Sequence, residues 1–278
     1  MGILLALLSS ALWGTSDFFG GTLTRRRPAL TVASVSELIG LTGILIAALA
    51  TGAISSGPGY VGWGVLGGAA GTAGVLAFYQ ALATGTMGIV APIAATGVVV
   101  PVVVGFAAGD RPSPWQVAGI VVAIIGVILA SGPELQRDGT RGTAKRPLAL
   151  AGVAAIGFGV VFVAISHGAQ HSTLMTLLVM RVVGVSLMAV LARATSTSLR
   201  VTRAELPLLA LVGCFDVGAN ATFAYATRHG LLAVVSVLSS LYPAMTVILA
   251  RVVHAERLGQ LQLAGVVGAL AGVVLIAS

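Results

Sequence analysis

Long apolar runs, broken by short polar or Gly/Pro-rich interruptions, set the pattern of this chain. They fall at 2–23, 31–51, 61–83, 88–108, 115–131, 147–167, 172–192, 205–226, 231–250 and 261–277. Each is close to the roughly 20 residues that carry an α-helix across the hydrocarbon core of a bilayer. In lipid a helix satisfies its own backbone polar groups, which an open strand cannot do. A transmembrane barrel would instead read as alternating segments of about 10 residues, and these runs do not alternate. The expected fold class is an all-α membrane protein with ten transmembrane helices. Met1–Leu12 resembles the core of a signal peptide, but no basic stretch precedes it. It runs on through Trp13, Gly14 and Asp17 without a small-x-small cleavage site, so it reads as the first span.

The pattern also repeats. The most polar interruption, Ser131–Pro147, lies near the middle and divides the chain into 1–131, a linker 132–146, and 147–278. A shift of 146 residues sets Tyr79 on Tyr225, Asp110 on Glu256, Arg111 on Arg257, Gln116 on Gln262, Gly119 on Gly265 and Gly126 on Gly272. At a slightly different offset Glu37 falls opposite Arg181, and Gly40 opposite Gly184. An acid–Arg pair, a Gln and two glycines recurring at one offset point to duplication. Each half carries five spans, and an odd number makes the second half enter the membrane from the opposite side. The halves are then expected to be inverted repeats about an axis in the membrane plane, a design that can expose a midplane site to each side in turn.

Composition agrees. Hydrophobic residues make up 57% of the chain and charged ones 8%, against about 25% charged in a soluble domain. The net charge of +7 would suggest nucleic acid for a soluble protein. Here the basic residues gather in short loops, and no nucleic-acid partner is expected. Arg25, Arg26, Arg27, Arg137, Arg141, Lys145, Arg146, Arg193, Arg200, Arg203, Arg251 and Arg257 fall on one side, and Arg111 and Arg228 on the other. That bias puts the odd-numbered loops in the cytoplasm and both termini outside. The single cysteine, Cys214, excludes an intramolecular disulfide and reads as a small core residue. His167 and His171 have metal-ligand spacing but straddle a short loop containing Gly168, with no third ligand, so no metal site is expected. No phosphate-cradling loop ending in Lys-Ser/Thr argues for an ATP-driven pump. No nucleophile motif argues for an enzyme, so neither catalytic residues nor cofactors are expected.

The opening SALWGTSDFFGG (Ser10–Gly21) and the closing HAERLGQLQLAGVVGALAGVVL (His254–Leu275) resemble the EamA-type drug/metabolite transporter superfamily, over essentially the whole chain. The Trp-Gly of the first span carries the resemblance, with the acid–Arg followed by Gln-x-x-Gly before the last span of each half. The family pattern has a proline in the fourth span of each half. Pro243 supplies it in the second half, whereas the first has Gly97 at the aligned place, flanked by Pro92 and Pro101. The resemblance implies a secondary transporter, working alone or as a homodimer in a bacterial-type inner membrane. It implies export of a small metabolite or drug-like compound by alternating access, from a site between spans 1–4 and 6–9, with spans 5 and 10 peripheral. An importer would share every one of these features. A membrane-embedded enzyme would need clustered reactive groups that the sequence lacks.

Charged residues within spans are the sharpest pointers to a site. Each costs at least about 2.5–3.5 kcal/mol to insert, so it should face the protein interior or a wet cavity. Asp17, Glu37, Arg181 and Asp216 are the candidates, with Asn220 one turn beyond Asp216 on the same face. The repeat sets Glu37 and Arg181 at equivalent positions, so one or more carboxylates are expected to pair with Arg181 across a central cavity. Asp17, Glu37 and Asp216 are the proton-coupling candidates, since a carboxylate in a low-dielectric site exchanges protons near neutral pH. Arg181 would hold a substrate carboxylate or balance a protein one. Trp13, Phe18, Tyr79, Phe158, Phe162, Phe215, Tyr225 and Tyr242 fall near the expected midplane. Of these, Trp13, Tyr79 and Tyr225 join the expected substrate-binding set. The glycine pairs Gly64/Gly68, Gly67/Gly71 and Gly268/Gly272 form i, i+4 stripes suited to close helix packing.

Overall fold

In a computed structural model the chain is described over residues 1–55, 57–84, 90, 93–130, 145–254 and 260–277. Helix is the only regular structure among them. The first three helices are α1 (Gly2–Thr24), α2 (Ala29–Ala50) and α3 (Val61–Thr84), with boundaries close to the expected first three spans. Pro28 sits just ahead of α2 at φ −54°, a fixed angle suited to chain entry into a helix. The fourth run is described at Val90 and continuously from Ile93. It holds a 3₁₀ turn at Thr96–Val98 and then α4 (Val99–Ala107), which contains Pro101. Pro92 lies outside the described residues, as do Glu256, Arg257 and the linker up to Ala144.

α5 (Pro114–Ala130) starts with a reciprocal cap. The Ser113 backbone N–H donates to Gln116 Oε1 at 2.9 Å, and the Gln116 N–H donates to Ser113 Oγ at 3.2 Å, so each residue satisfies a helix-end donor of the other. The glutamine of the motif that precedes this span is thus a helix-capping residue.

A 50-residue helical stretch, Lys145–Ala194, is interrupted at Ser172, whose φ of −163° and ψ of 114° are extended. We divide it into α6 (145–171) and α7 (173–194). A straight helix of that length would run about 75 Å, more than twice the hydrocarbon thickness. Contacts with α3 show that the chain doubles back. Along the 3₁₀ turn Pro58–Tyr60 and α3, Gly59, Gly71 and Gly74 meet His171, Val161 and Phe158 in descending order, while Gly64, Gly68 and the side of Thr72 meet Val179, Val183 and Gly184 in ascending order. The two arms therefore form an antiparallel hairpin closed by one residue. The expected loop between spans 6 and 7 is absent, because helix continues through His171. His167 stacks on Trp63, with ring centroids 4.6 Å apart.

The remainder is α8 (Leu206–Thr227), α9 (Leu232–Ser239), α10 (Tyr242–His254) and α11 (Gln260–Ala277). Pro243 lies in the first turn of α10, where a missing N–H breaks no helical bond. Cys214 is exposed on α8. This corrects the expectation of a core thiol, since an apolar run gives no hint of which face meets lipid.

Small residues let helices approach closely. A Cβ at Gly68 would fall 2.6 Å from the Met180 carbonyl oxygen, and one at Gly272 would fall 2.7 Å from Ala123 Cβ. Gly126 in turn abuts Ala269, and Gly119 abuts Gly272, so α5 and α11 run antiparallel against each other. Outward faces are apolar: Ile46, Leu49, Trp115, Ile125, Leu270 and Val274 are 51–68% exposed. A soluble monomer rarely carries so extended an apolar exterior, and lipid tails match it. Gly2–Thr24, Ala29–Ala50, Pro58–Thr84, Arg146–Ala194 and Leu206–Thr227 are each long and apolar enough to cross a membrane, and other apolar helices are shorter.

Contacts between early and late parts of the chain sit at both ends of the helices. At one end Arg27 Nε donates to Glu205 Oε1 at 2.8 Å and Nη2 donates to Oε2 at 3.1 Å. Thr202 donates to the same carboxylate through N–H at 2.7 Å and Oγ1 at 2.8 Å. At the other end, where the start of α1 meets His229, the Ala233 N–H donates to Asp110 Oδ2 at 2.9 Å in the first turn of α9. Aspartate there satisfies an orphan helix donor. The acid of the Asp110–Arg111 motif is therefore a latch onto the other half of the chain.

The Arg27 guanidinium, followed by the Thr202 donors, pulls the Glu205 carboxyl down to about 2. A carboxylate whose folded value is depressed stabilises the fold above its unfolded value and loses that effect as pH falls. The thermal unfolding midpoint is therefore expected to decline between about pH 4.3 and about pH 2, less steeply in Glu205→Gln. Coincident pH profiles for the two proteins would exclude a stabilising Arg27–Glu205 pair.

Candidate functional site

The middles of α1, α2, α3, α6, α7 and α8 and the N-terminal end of α10 surround a cavity of about 700 Å³, its open mouth included. α1 brings Trp13 and Asp17, α2 brings Glu37, and α3 brings the glycines 67, 68 and 71 with Thr72. Phe158 and Phe162 come from α6, Met180 and Arg181 from α7, Asp216 and Asn220 from α8, and Tyr242 from α10. A smaller cavity of about 310 Å³ adjoins it, shares Asp17, Glu37, Arg181 and Asp216, and adds Tyr79. No residue of α4, α5 or α11 lines either cavity among the described residues.

Arg181 is the electrostatic centre. It is buried at 7% exposure, and its two terminal nitrogens go to two different carboxylates: Nη1 pairs with Glu37 Oε2 and Nη2 with Asp216 Oδ2. A guanidinium can do this because its donors form a fixed planar fork. Asp216 is also held by the Trp13 indole N–H, which donates to Oδ1 at 3.1 Å, and by Asn220 Nδ2, which donates to Oδ2 at 3.2 Å. Trp13, Glu37, Arg181, Asp216 and Asn220 thus form one connected network across four helices. Glu37 lies before the chain midpoint, Arg181 and Asp216 after it.

Backbone packing explains why these side chains converge. Gly14, next to Trp13, faces α10. A Cβ there would fall 2.5 Å from the Tyr242 carbonyl oxygen and 2.6 Å from Met245 Cβ. The Trp-Gly pair therefore sends an aromatic toward the cavity and admits a crossing helix on its other side. Gly40 and Gly213 bring α2 and α8 together beside Glu37 and Asp216. An aromatic stack closes one wall: Trp13 and Phe162 lie 5.2 Å apart at 23°, and Phe162 and Phe223 lie 4.6 Å apart at 24°.

Of the residues expected from sequence, Trp13, Asp17, Glu37, Arg181, Asp216 and Asn220 line the main cavity and Tyr79 the adjoining one. Tyr225 is not brought to either. It is 42% exposed, and its carbonyl oxygen lies 2.8 Å from His229 Nδ1. Pseudo-equivalence to Tyr79 does not carry its ring to the same place. Sequence reasoning left Phe223 out, although it follows Asp216 and Asn220 at i+7 and i+3 on one helical face. Met180 and Thr72 had no distinguishing signal.

The sequence model of the EamA-like transporter family matches residues 1–132 and again residues 146–278. One similar solved structure, described only as "Crystal structure of protein", superposes with a TM-score of 0.78 at 20% identity. It covers 99% of this chain and 95% of that chain, a likeness of fold. No curated protein matches the sequence.

Proposed function

The chain belongs to the EamA-like transporter family, and on that premise we propose that it exports a small metabolite or drug-like compound by alternating access. The molecule is a multi-pass membrane transporter. In the proposed arrangement ten spans form two inverted halves, 1–131 and 147–278, and the halves rock about the central cavity. The observation that carries the reading is the Glu37–Arg181–Asp216 network, which joins both halves inside a mid-helix cavity. Contact symmetry lends support. Ala123 meets Gly272 and Gly126 meets Ala269, two contacts that exchange under the 146-residue shift. An antiparallel pair with self-exchanging contacts is what a two-fold axis across the helices produces. The Arg27–Glu205 and Asp110–Ala233 contacts lie at opposite ends. In a rocking cycle each would open in turn. Asp17, Glu37 and Asp216 are the proposed proton carriers.

The test is flux of labelled metabolites in proteoliposomes, with and without an imposed pH gradient, for wild type and Asp216→Asn. Saturable flux that follows the gradient is expected. In the variant it should fall about tenfold or more, the scale of losing a charge-assisted hydrogen bond. Saturable flux indifferent to gradient and substitution would keep the carrier and remove the proton role of Asp216. Non-saturating conductance would replace the carrier with a channel, and net inward flux against a gradient would replace export with import.

A further inference from the structure

Acidic side chains outnumber basic ones in the cavity. Among the described lining residues, three carboxylates (Asp17, Glu37 and Asp216) face one guanidinium, Arg181. Both terminal nitrogens of Arg181 are already engaged by Glu37 and Asp216, so among the described lining residues no unpaired cation is left to receive an anionic ligand. Asp17 is the surplus acid: within the described residues no hydrogen bond or ion pair reaches its side chain. A second observation points to the same ligand chemistry. The buried Tyr242 hydroxyl is without a hydrogen-bond partner among the described residues, and Tyr242, 6% exposed, is one of the residues around the same cavity. A buried hydroxyl left unpaired carries a desolvation cost.

Asp17 and Tyr242 sit on helices in direct contact. Gly14, one turn before Asp17, packs on the Tyr242 backbone, and Thr246 Oγ1 donates to the Gly14 carbonyl oxygen at 3.2 Å. An ionised carboxylate only accepts hydrogen bonds, and a phenol oxygen can also accept. The group that serves both is a positively charged N–H donor. Trp13, one turn before Asp17, lines the cavity too and is stacked on Phe162. Aromatic faces attract cations and cover the apolar part of a ligand.

We infer that the cavity takes an organic cation, a protonated amine on an apolar or aromatic body, with its nitrogen on Asp17 and the Tyr242 hydroxyl and its body against Trp13 and Phe162. This deepens the transporter reading by naming its substrate class. The binding geometry itself does not require that transport occur.

Equilibrium binding to purified full-length protein in detergent tests it apart from transport. The probes are 2-phenylethylamine, its neutral analogue 2-phenylethanol and the anion 3-phenylpropionate, measured by calorimetry on wild type, Asp17→Asn and Tyr242→Phe. The amine is expected to bind at least about tenfold tighter than either analogue, the scale of one charge-assisted hydrogen bond. Asp17→Asn should erase that preference, and Tyr242→Phe should reduce it severalfold. Unchanged thermal midpoints would establish that both variants fold. Equal or tighter binding of the anion, amine binding indifferent to Asp17→Asn, or no amine binding would each overturn the inference. Amine binding without saturable flux would defeat the transporter reading and leave the cation site. Saturable flux of anions alone would do the reverse.

Discussion

Arg181→Met is expected to be among the most destabilising single substitutions in the protein, by about 3–5 kcal/mol. The guanidinium is buried, and it is shared between Glu37 and Asp216. Its removal leaves two carboxylates facing each other in a poorly hydrated site, with Asp17 lining the same cavity. Most of the cost is the penalty of unpaired buried charge rather than the net worth of the pairs. The triple variant Glu37→Gln, Arg181→Met, Asp216→Asn should therefore recover a large part of the loss, because it removes the acids along with their partner. Thermal unfolding of the purified proteins, followed by the monodisperse fraction that survives heating, distinguishes the cases. A single variant as stable as wild type would mean that the network is not held as described. A triple variant no better than the single would mean that packing around the Arg181 side chain, not charge, supplies the stability.

The second large effect is expected at Gly14. A Cβ at this position would press on the Tyr242 backbone and Met245 at 2.5–2.6 Å, and backbone atoms cannot rotate away as a flexible side chain can. Gly14→Val should cost about 1–3 kcal/mol, the usual range for overpacking a close contact. It should also force α1 and α10 apart, carrying Tyr242 away from Asp17 and weakening binding at the cavity. Gly43→Val is the matched control. Nothing lies within 4 Å of a Cβ at Gly43, so stability should change by no more than about 0.5 kcal/mol. Equal responses at the two positions would show that helix crossing at Gly14 is not tight.

The helical membrane character of the chain was legible without coordinates because hydrophobicity along a span is a one-dimensional property. The matching of two sequence segments to one family was legible for a similar reason. Gln116, Gly119 and Gly126 recur at a constant shift, and the structure gives them tasks that need no substrate: Gln116 caps α5, while Gly119 and Gly126 seat α11. The four charged residues within apolar runs were legible as site candidates because an inserted charge must be compensated somewhere.

Tertiary structure decided how that compensation is arranged. No spacing in the sequence says that Arg181 is shared by Glu37 and Asp216 rather than paired with one of them, or that Asp17 is left over. That depends on which faces of four helices are turned together. Tyr79 and Tyr225 occupy matching positions in the repeat, yet one lines a cavity and the other is largely exposed. Ser172 closes a hairpin with helix running through the polar stretch before it, where the sequence suggested a loop, since one extended residue suffices to reverse a chain when both arms find partners on α3. Tyr242 entered the site through the break between α9 and α10. Sequence thus determined which segments enter the membrane and which residues are too costly to face lipid. The crossing of helices at glycines, where backbones approach within van der Waals contact, alone determined which of those residues meet.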